Sequence, residues 1–207
     1  MAIFDAGNLS TSNHRLWSLI AERAETGADT DAIDERIWDL FGERWAIMFT
    51  DLSGFSRKSE EFGITHFLQD AALLLYPLIE KKGGVLVKEE ADSLMVLFRR
   101  PQVAVEAAIE MQQACDIANK RLVDEDKVLL CIGIGYGDIL RIGDEDVWGA
   151  EVNYASKLGE DTAKSYEILI TPAVAEILGD AYPLEALAEE VAGTTNNYRL
   201  DYGHGST

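Results

Sequence analysis

Near the N-terminus, apolar residues fall at helical spacing twice. In "NHRLWSLIAERAE" they are Leu16, Leu19 and Ile20; in "DTDAIDERIWDLFGER" they are Ile33, Ile37, Leu40 and Phe41. Residues three and four apart share one face of a helix. Each stretch therefore predicts a short amphipathic helix, with "TGADT" as the loop between them. Asp31, followed by Glu35 and Arg36, gives the second helix an acidic opening that suits the positive end of its dipole. Residues 1–43 read as a helical segment with no chemistry of its own, used for dimerisation or regulation.

From Arg44 the pattern becomes mixed. "WAIMFT" reads as a buried strand, and "GITHFLQDAALLLYPLIEKKGG" as a helix with Ile64, Phe67, Leu68, Ala71, Leu74, Leu75 and Leu78 on one face, closed by a glycine pair. "VLVKEEADSLMVLF" gives a hairpin. "PQVAVEAAIEMQQACDIANKRL" is a helix opened by Pro101, with Ala104, Ala108, Met111, Cys115, Ala118 and Leu122 in line. "KVLLCIGIGYGDILRIG" suggests a strand, a Gly-rich turn and a return strand. "AEVNYASKLGEDTA" reads as helix, "YEILIT" as strand and "PAVAEILG" as a short helix. The order predicts an α+β fold over residues 44–207. Its core is a ferredoxin-like βαββαβ unit, an antiparallel sheet with helices on one face, preceded by the short helical N-terminal segment.

Composition narrows the partners. The chain has 207 residues, 47% of them hydrophobic, a formal net charge of −19 and a pI near 4.4. Such acidity argues against binding nucleic acid, whose phosphates need a cationic footprint, and against an anionic membrane surface. An anionic ligand would need local cations. No run reaches the ~20 apolar residues of a membrane span, and "MAIFDAGNLSTSNHR" lacks the pattern of a signal peptide. The expected location is cytoplasmic. There Cys115 and Cys131 are expected as core thiols, with a disulfide between them as the alternative. His14, His66 and His204 are scattered and form no triad or zinc set.

Two acids stand out. Asp51 ends the first strand of the mixed region, and Asp92 lies in the hairpin just before "SLMVLF". In the predicted topology these strands are neighbours, so the carboxylates can converge. Like charges that close repel, and divalent cations remove the repulsion while supplying Lewis acidity for phosphoryl chemistry. Each acid alone has a plainer reading, as a helix cap or a turn residue.

"FTDLSGFS", "KEEADSLMVLF" and "DVWGAEVNYASKL", in that order, resemble the class III adenylate and guanylate cyclase catalytic domain over roughly residues 44–171. The resemblance implies conversion of a nucleoside triphosphate into a 3′,5′-cyclic monophosphate and pyrophosphate. It assigns Asp51 and Asp92, with the backbone carbonyl of Leu52, to two divalent cations, Mg²⁺ or Mn²⁺. It assigns Lys88 and Asp146 to the purine. A lysine donates to adenine N1 and an aspartate accepts from the exocyclic amine, so the pair implies ATP. Asn153 falls on the residue that orients the ribose, and Lys157 on the phosphate-stabilising cation, where the family usually has arginine. The resemblance further implies a homodimer with composite sites, the acids from one chain and Lys88, Asp146, Asn153 and Lys157 from the other.

The sequence also departs from the family pattern. Lysine at 157 keeps the charge but loses the planar fork of arginine. Ala91 stands where glycine is usual, "YGDILRIGDEDVWG" is short, and no phosphate-binding lysine is visible near "EEVAGTTNNYRL". Two alternatives follow: a cyclase of GTP or a pyrimidine triphosphate, and a degenerate homologue that binds nucleotide or only dimerises. A diguanylate cyclase shares the strand order, but the chain has no GGDEF-like hairpin.

Overall fold

The computed structural model of the chain describes residues 12–53, 73–90, 92–123, 127–143, 146–188, 190–191 and 195–203. Helices α1 (Ser12–Arg23) and α2 (Thr30–Phe41) form the expected pair. The Asp29 carboxylate caps α2 by accepting from the Ala32 N–H at 3.2 Å. Leu16, Leu19, Ile33, Ile37 and Phe41 are buried together and pack on Leu140 and Ile142 of the domain beyond. Ile20 and Leu40, expected on the same faces, are exposed.

Strand β1 (Gly42–Ser53) is followed by α3 (Tyr76–Lys81), β2 (Val85–Glu90), β3 (Ser93–Phe98), α4 (Pro101–Asn119) and β4 (Leu129–Ile142). These strands lie in the order β2-β3-β1-β4, the arrangement a βαββαβ unit produces. Beyond β4 come β6 (Ile168–Ile170), β8 (Tyr198–Leu200) and β7 (Leu184–Ala186), while β5 (Asp146–Trp148) pairs with β4 off that path. Every pairing is antiparallel except β4 with β6. Residues 63–72 of the helix expected over "GITHFLQDAALLLYPLIEKKGG" lie outside the described residues, as does Ala91; Leu75 and Ile79 of that stretch are buried.

The sheet is covered on both faces, not on one as the sequence predicts. On one, α3, α4 and α6 (Pro172–Leu178) pack on Ala46, Met48, Val96, Ile132 and Ile134. Of the face expected for α4, Ala104, Ala108, Met111 and Cys115 are fully buried, but the helix ends at Asn119 and Leu122 is exposed. The end is set by Asn119, whose side chain donates to the Val128 carbonyl and accepts from the Val128 N–H. Gln112 donates to the Leu130 carbonyl at 3.0 Å. No disulfide joins Cys115 and Cys131, both buried.

On the other face, α5 (Ala150–Ser156) packs with Ile47, Phe49, Met95, Ile139 and Val147. The expected Gly-rich turn is absent from this part of the chain. "CIGIGYGD" is no turn: Gly133, Gly135 and Gly137 lie inside the continuous fourteen-residue strand β4. Alternate strand positions share a face, and this face lies under α5. A Cβ at Gly133 would stand 2.3 Å from both the Ala155 carbonyl oxygen and the Gly159 nitrogen. A Cβ at Gly159 would meet Gly133 N and the Phe49 carbonyl oxygen at 2.8 Å. The glycines remove side chains so that helix and strand backbones can touch. Glu151 uses the room over Gly135 and Gly137, accepting from the Tyr136 N–H and the Thr171 hydroxyl, both at 2.9 Å.

The nature of the obstructing atom grades the cost of filling this face. Gly133→Ala meets rigid backbone and should lose about 1–3 kcal/mol in urea denaturation. Gly137→Ala meets only the Glu151 side chain, 2.6 Å from its Cγ, and should lose clearly less. Equal losses would contradict the close approach of backbones at Gly133.

Candidate active site

The antiparallel pairing of β1 and β3 brings the two acids together. Its last paired residues are Thr50 and Leu94, so one step further along each strand puts Asp51 beside Ser93, with Asp92 next to it. On its other side Asp51 is paired with Cys131 of β4, which holds its backbone there. By strand alternation it shares a face with Ile47 and Phe49, the face covered by α5. Leu52 follows directly, buried and paired with Leu130.

Both carboxyls are pushed up from their ordinary values. Burial, then the charge of Asp92, then those of Glu160 and Asp161 raise Asp51 to about 6, against a weaker pull from the Leu52 N–H. Asp92 is raised by burial and by Glu160, and lowered by its own N–H. Asp51 is thus a carboxylate short of compensating charge.

Glu160 and Asp161 come from an element the sequence reading missed. Helix α5 does not continue through "KLGEDT" in α form but passes into a π-helical turn, Lys157–Thr162. Such widened turns are uncommon and are often found at functional sites. Here it carries Gly159 onto Gly133 and Glu160 toward β3. Ser93, the residue after Asp92, donates its hydroxyl to Glu160 Oε1 at 2.6 Å, and Ser156 donates to Oε2.

The base-reading candidates lie within reach of each other's charge. Lys88 is paired with Met95 across a bulge in β2. Its ammonium donates to Glu90 at 2.9 Å. Glu90 first, and then the charge of Asp146, hold it above its usual range. The Asp146 carboxylate accepts from the Val147 N–H at 2.9 Å and from the Trp148 indole N–H at 3.3 Å.

Asn153 and Lys157 lie four residues apart, with Asn153 on α5 and Lys157 opening the π turn, and both are exposed. Lys157 pairs with Asp161, and hydrogen bonding to that carboxylate raises its pKa. Among the described residues no group of three or more His, Cys, Asp and Glu side chains is arranged to hold a metal ion. A cation at Asp51 and Asp92 would have to complete its shell with backbone oxygen, water or ligand phosphate.

Residues 42–198 match the family model of the adenylate and guanylate cyclase catalytic domain. The chain belongs to that family. An adenylate cyclase of Anabaena cylindrica is 34% identical over 151 residues, 63% of this chain and 30% of that protein. The chain spans only 16 to 30% of the length of the curated relatives it matches. Among solved structures, an adenylate/guanylate cyclase/hydrolase from Silicibacter pomeroyi is similar at 29% identity and a TM-score of 0.65, covering 77% of this chain and 96% of that one. The adenylyl cyclase CyaB from P. aeruginosa shares the fold at 22% identity and a TM-score of 0.67, covering 80% of this chain and 98% of that one.

The raised carboxyl gives a signed prediction. Asp51 binds its proton more tightly folded, at about 6, than at the ordinary carboxyl value of 3.8 that it has unfolded. Its ionisation therefore destabilises the fold, not at all below about pH 4 and fully above about pH 6. In metal-free buffer, Asp51→Asn should be more stable than the parent at pH 7.5, and urea denaturation should show the gap closing by pH 4. A gap that widens on acidification would contradict the shift.

Proposed function

We propose that the chain is the catalytic domain of a homodimeric nucleotidyl cyclase that converts ATP into 3′,5′-cyclic AMP and pyrophosphate. The observation that carries this reading is the convergence of Asp51 and Asp92 at adjacent strand ends in a domain of the cyclase family. The donor chemistry fits Mg²⁺ or Mn²⁺: carboxylate oxygens are hard ligands, and Asp51 sits among uncompensated negative charges. Two such cations, when bound, would neutralise phosphate charge and acidify the ribose 3′-hydroxyl.

The chain's own residues do the rest. Asp51 and Asp92, with the Leu52 carbonyl, hold the cations. Across the dimer junction, Lys88 donates to adenine N1 and Asp146 accepts from the exocyclic amine. Asn153 orients the ribose so that its 3′-oxygen lies in line with the α-phosphorus and the leaving pyrophosphate oxygen. Lys157 adds positive charge for the phosphates. The base pair favours ATP over GTP or a pyrimidine triphosphate. Among the described residues no helix is long and apolar enough to cross a membrane, and we place the domain in the cytoplasm, where ATP is available.

One observation favours a second reading, a nucleotide-binding module without turnover. Lys157 is engaged by Asp161 on its own turn, and the sequence around "EEVAGTTNNYRL" offers no lysine for the phosphates.

Purified protein given ATP with Mg²⁺ or Mn²⁺ should yield cyclic AMP, resolved chromatographically in competition with the other three nucleotides. Asp51→Ala and Asn153→Ala should each lose on the order of a hundredfold or more in kcat. Mixing these two inactive variants should recover about a quarter of the activity, since half of the dimers then hold one intact site. Full activity in Asp51→Ala would refute the mechanism, and no recovery on mixing would refute the shared site. Nucleotide binding without product would establish the module instead.

A further inference from the structure

We propose that Trp148 is a positioning residue for the base-reading carboxylate of Asp146, and that helix α1 supports it through Trp17, so that the N-terminal helices set purine selectivity. The inference rests on the reading of Asp146 as the acid that accepts from the adenine amine.

Strand β5 is weakly held. It has three residues and, among the described residues, one neighbour, pairing as Leu140 with Trp148, Arg141 with Val147 and Ile142 with Asp146. Val147 points into the core beneath α5, packing with Ile139 and Val152. By alternation Asp146 and Trp148 then share the opposite, outer face. Two donors fix the plane of the Asp146 carboxylate: the Val147 N–H on Oδ1, and the Trp148 indole on Oδ2 at 3.3 Å. A carboxylate has about four lone-pair positions, so two remain to accept from a ligand.

The indole has its own support. Its ring meets that of Trp17 edge-on, with centroids 5.9 Å apart at 70°. Trp17 and Trp148 remain 54% and 40% exposed as residues, so the ring–ring contact is a main part of what holds them. Helix α1 is not loosely attached. Leu16 and Leu19 are buried with Phe41, Leu140 and Ile142. Leu140 and Ile142 are the β4 residues that pair with Trp148 and Asp146. The helical segment and the base-reading strand thus grip the same end of β4, one through its apolar face and the other through backbone pairing.

A fixed acceptor discriminates by chemistry. An ionised carboxylate can only accept. It gains from the amine of a 6-amino purine, whereas a 6-oxo group facing it offers no proton to the two lone-pair positions that Val147 and Trp148 leave open. That difference needs a carboxylate held in one orientation, which is what the indole N–H supplies.

The test uses the full chain with Mn²⁺ and two nucleotides that lack the attacking hydroxyl, 3′-deoxy-ATP and 3′-deoxy-ITP, with tripolyphosphate as a control. Affinities are measured by calorimetry below the melting temperature of each variant. Trp148→Phe keeps the ring but removes the N–H. It should lower the adenine-to-hypoxanthine affinity ratio by roughly three- to tenfold and leave tripolyphosphate binding unchanged. Trp17→Ala should lower the ratio in the same direction, and Trp17→Phe should preserve it. General loosening would weaken all ligands together and leave the ratio intact. An unchanged ratio in Trp148→Phe overturns the inference while the base-reading role of Asp146 stands. A change there with none in Trp17→Ala removes the helical support. A wild type with a ratio near one refutes the role of Asp146, and the inference with it.

Discussion

The contact between the backbones of Gly133 and Gly159 sets the geometry of the site face. Without side chains at either position, the helix of Asn153 and the π turn after it settle directly on β4. That depth brings Glu160 within reach of Ser93, and Glu160 and Asp161 close enough to raise the proton affinity of Asp51. A helix standing one methyl group higher would relieve the crowding and misplace Lys157 together with the acids. Local packing and site electrostatics are here one constraint seen from two sides.

Much of the fold was legible because the relevant signals are local. The run "WAIMFT", the hairpin around Asp92 and the alanine-rich face of α4 each state their element in one stretch of sequence. The convergence of Asp51 and Asp92 follows from strand order, so topology made it predictable. The glycines of β4 misled for a physical reason. Glycine marks both a turn and a close approach, and only the partner backbone tells them apart; that partner, Gly159, lies 26 residues on. The sole positive φ in this stretch belongs to Gly143, at the turn that does follow the strand.

The π turn was hidden for a related reason. "AEVNYASKLGEDTA" has a helical pattern up to Leu158, and nothing in apolar spacing announces a change of pitch. Gly159 inside the pattern was the available signal, since an interior glycine is costly in a helix unless backbone must approach it. Glu160 and Asp161 accordingly received no role from the sequence. Trp148 was quoted in a motif but given no part, because its contacts are with Asp146 on its own strand and with Trp17 in a segment that carries no chemistry by itself.

The division of labour in the proposed homodimer gives these overlooked contacts their weight. Asp51 and Asp92 would serve one composite site, while Lys88, Asp146, Asn153 and Lys157 of the same chain would serve the other. Within a chain the two sets are not separate bodies. Ser93, next to Asp92, and Ser156, next to Lys157, hydrogen-bond to the two oxygens of one carboxylate, Glu160. The start of β3 and the end of α5 are thereby held at a fixed distance. Moving the strand after Asp92 would then move Lys157, which the proposed function assigns to the phosphates of the opposite site. Chemistry split across a junction needs such internal stiffness, because a site assembled from two chains can be no better ordered than the link inside each.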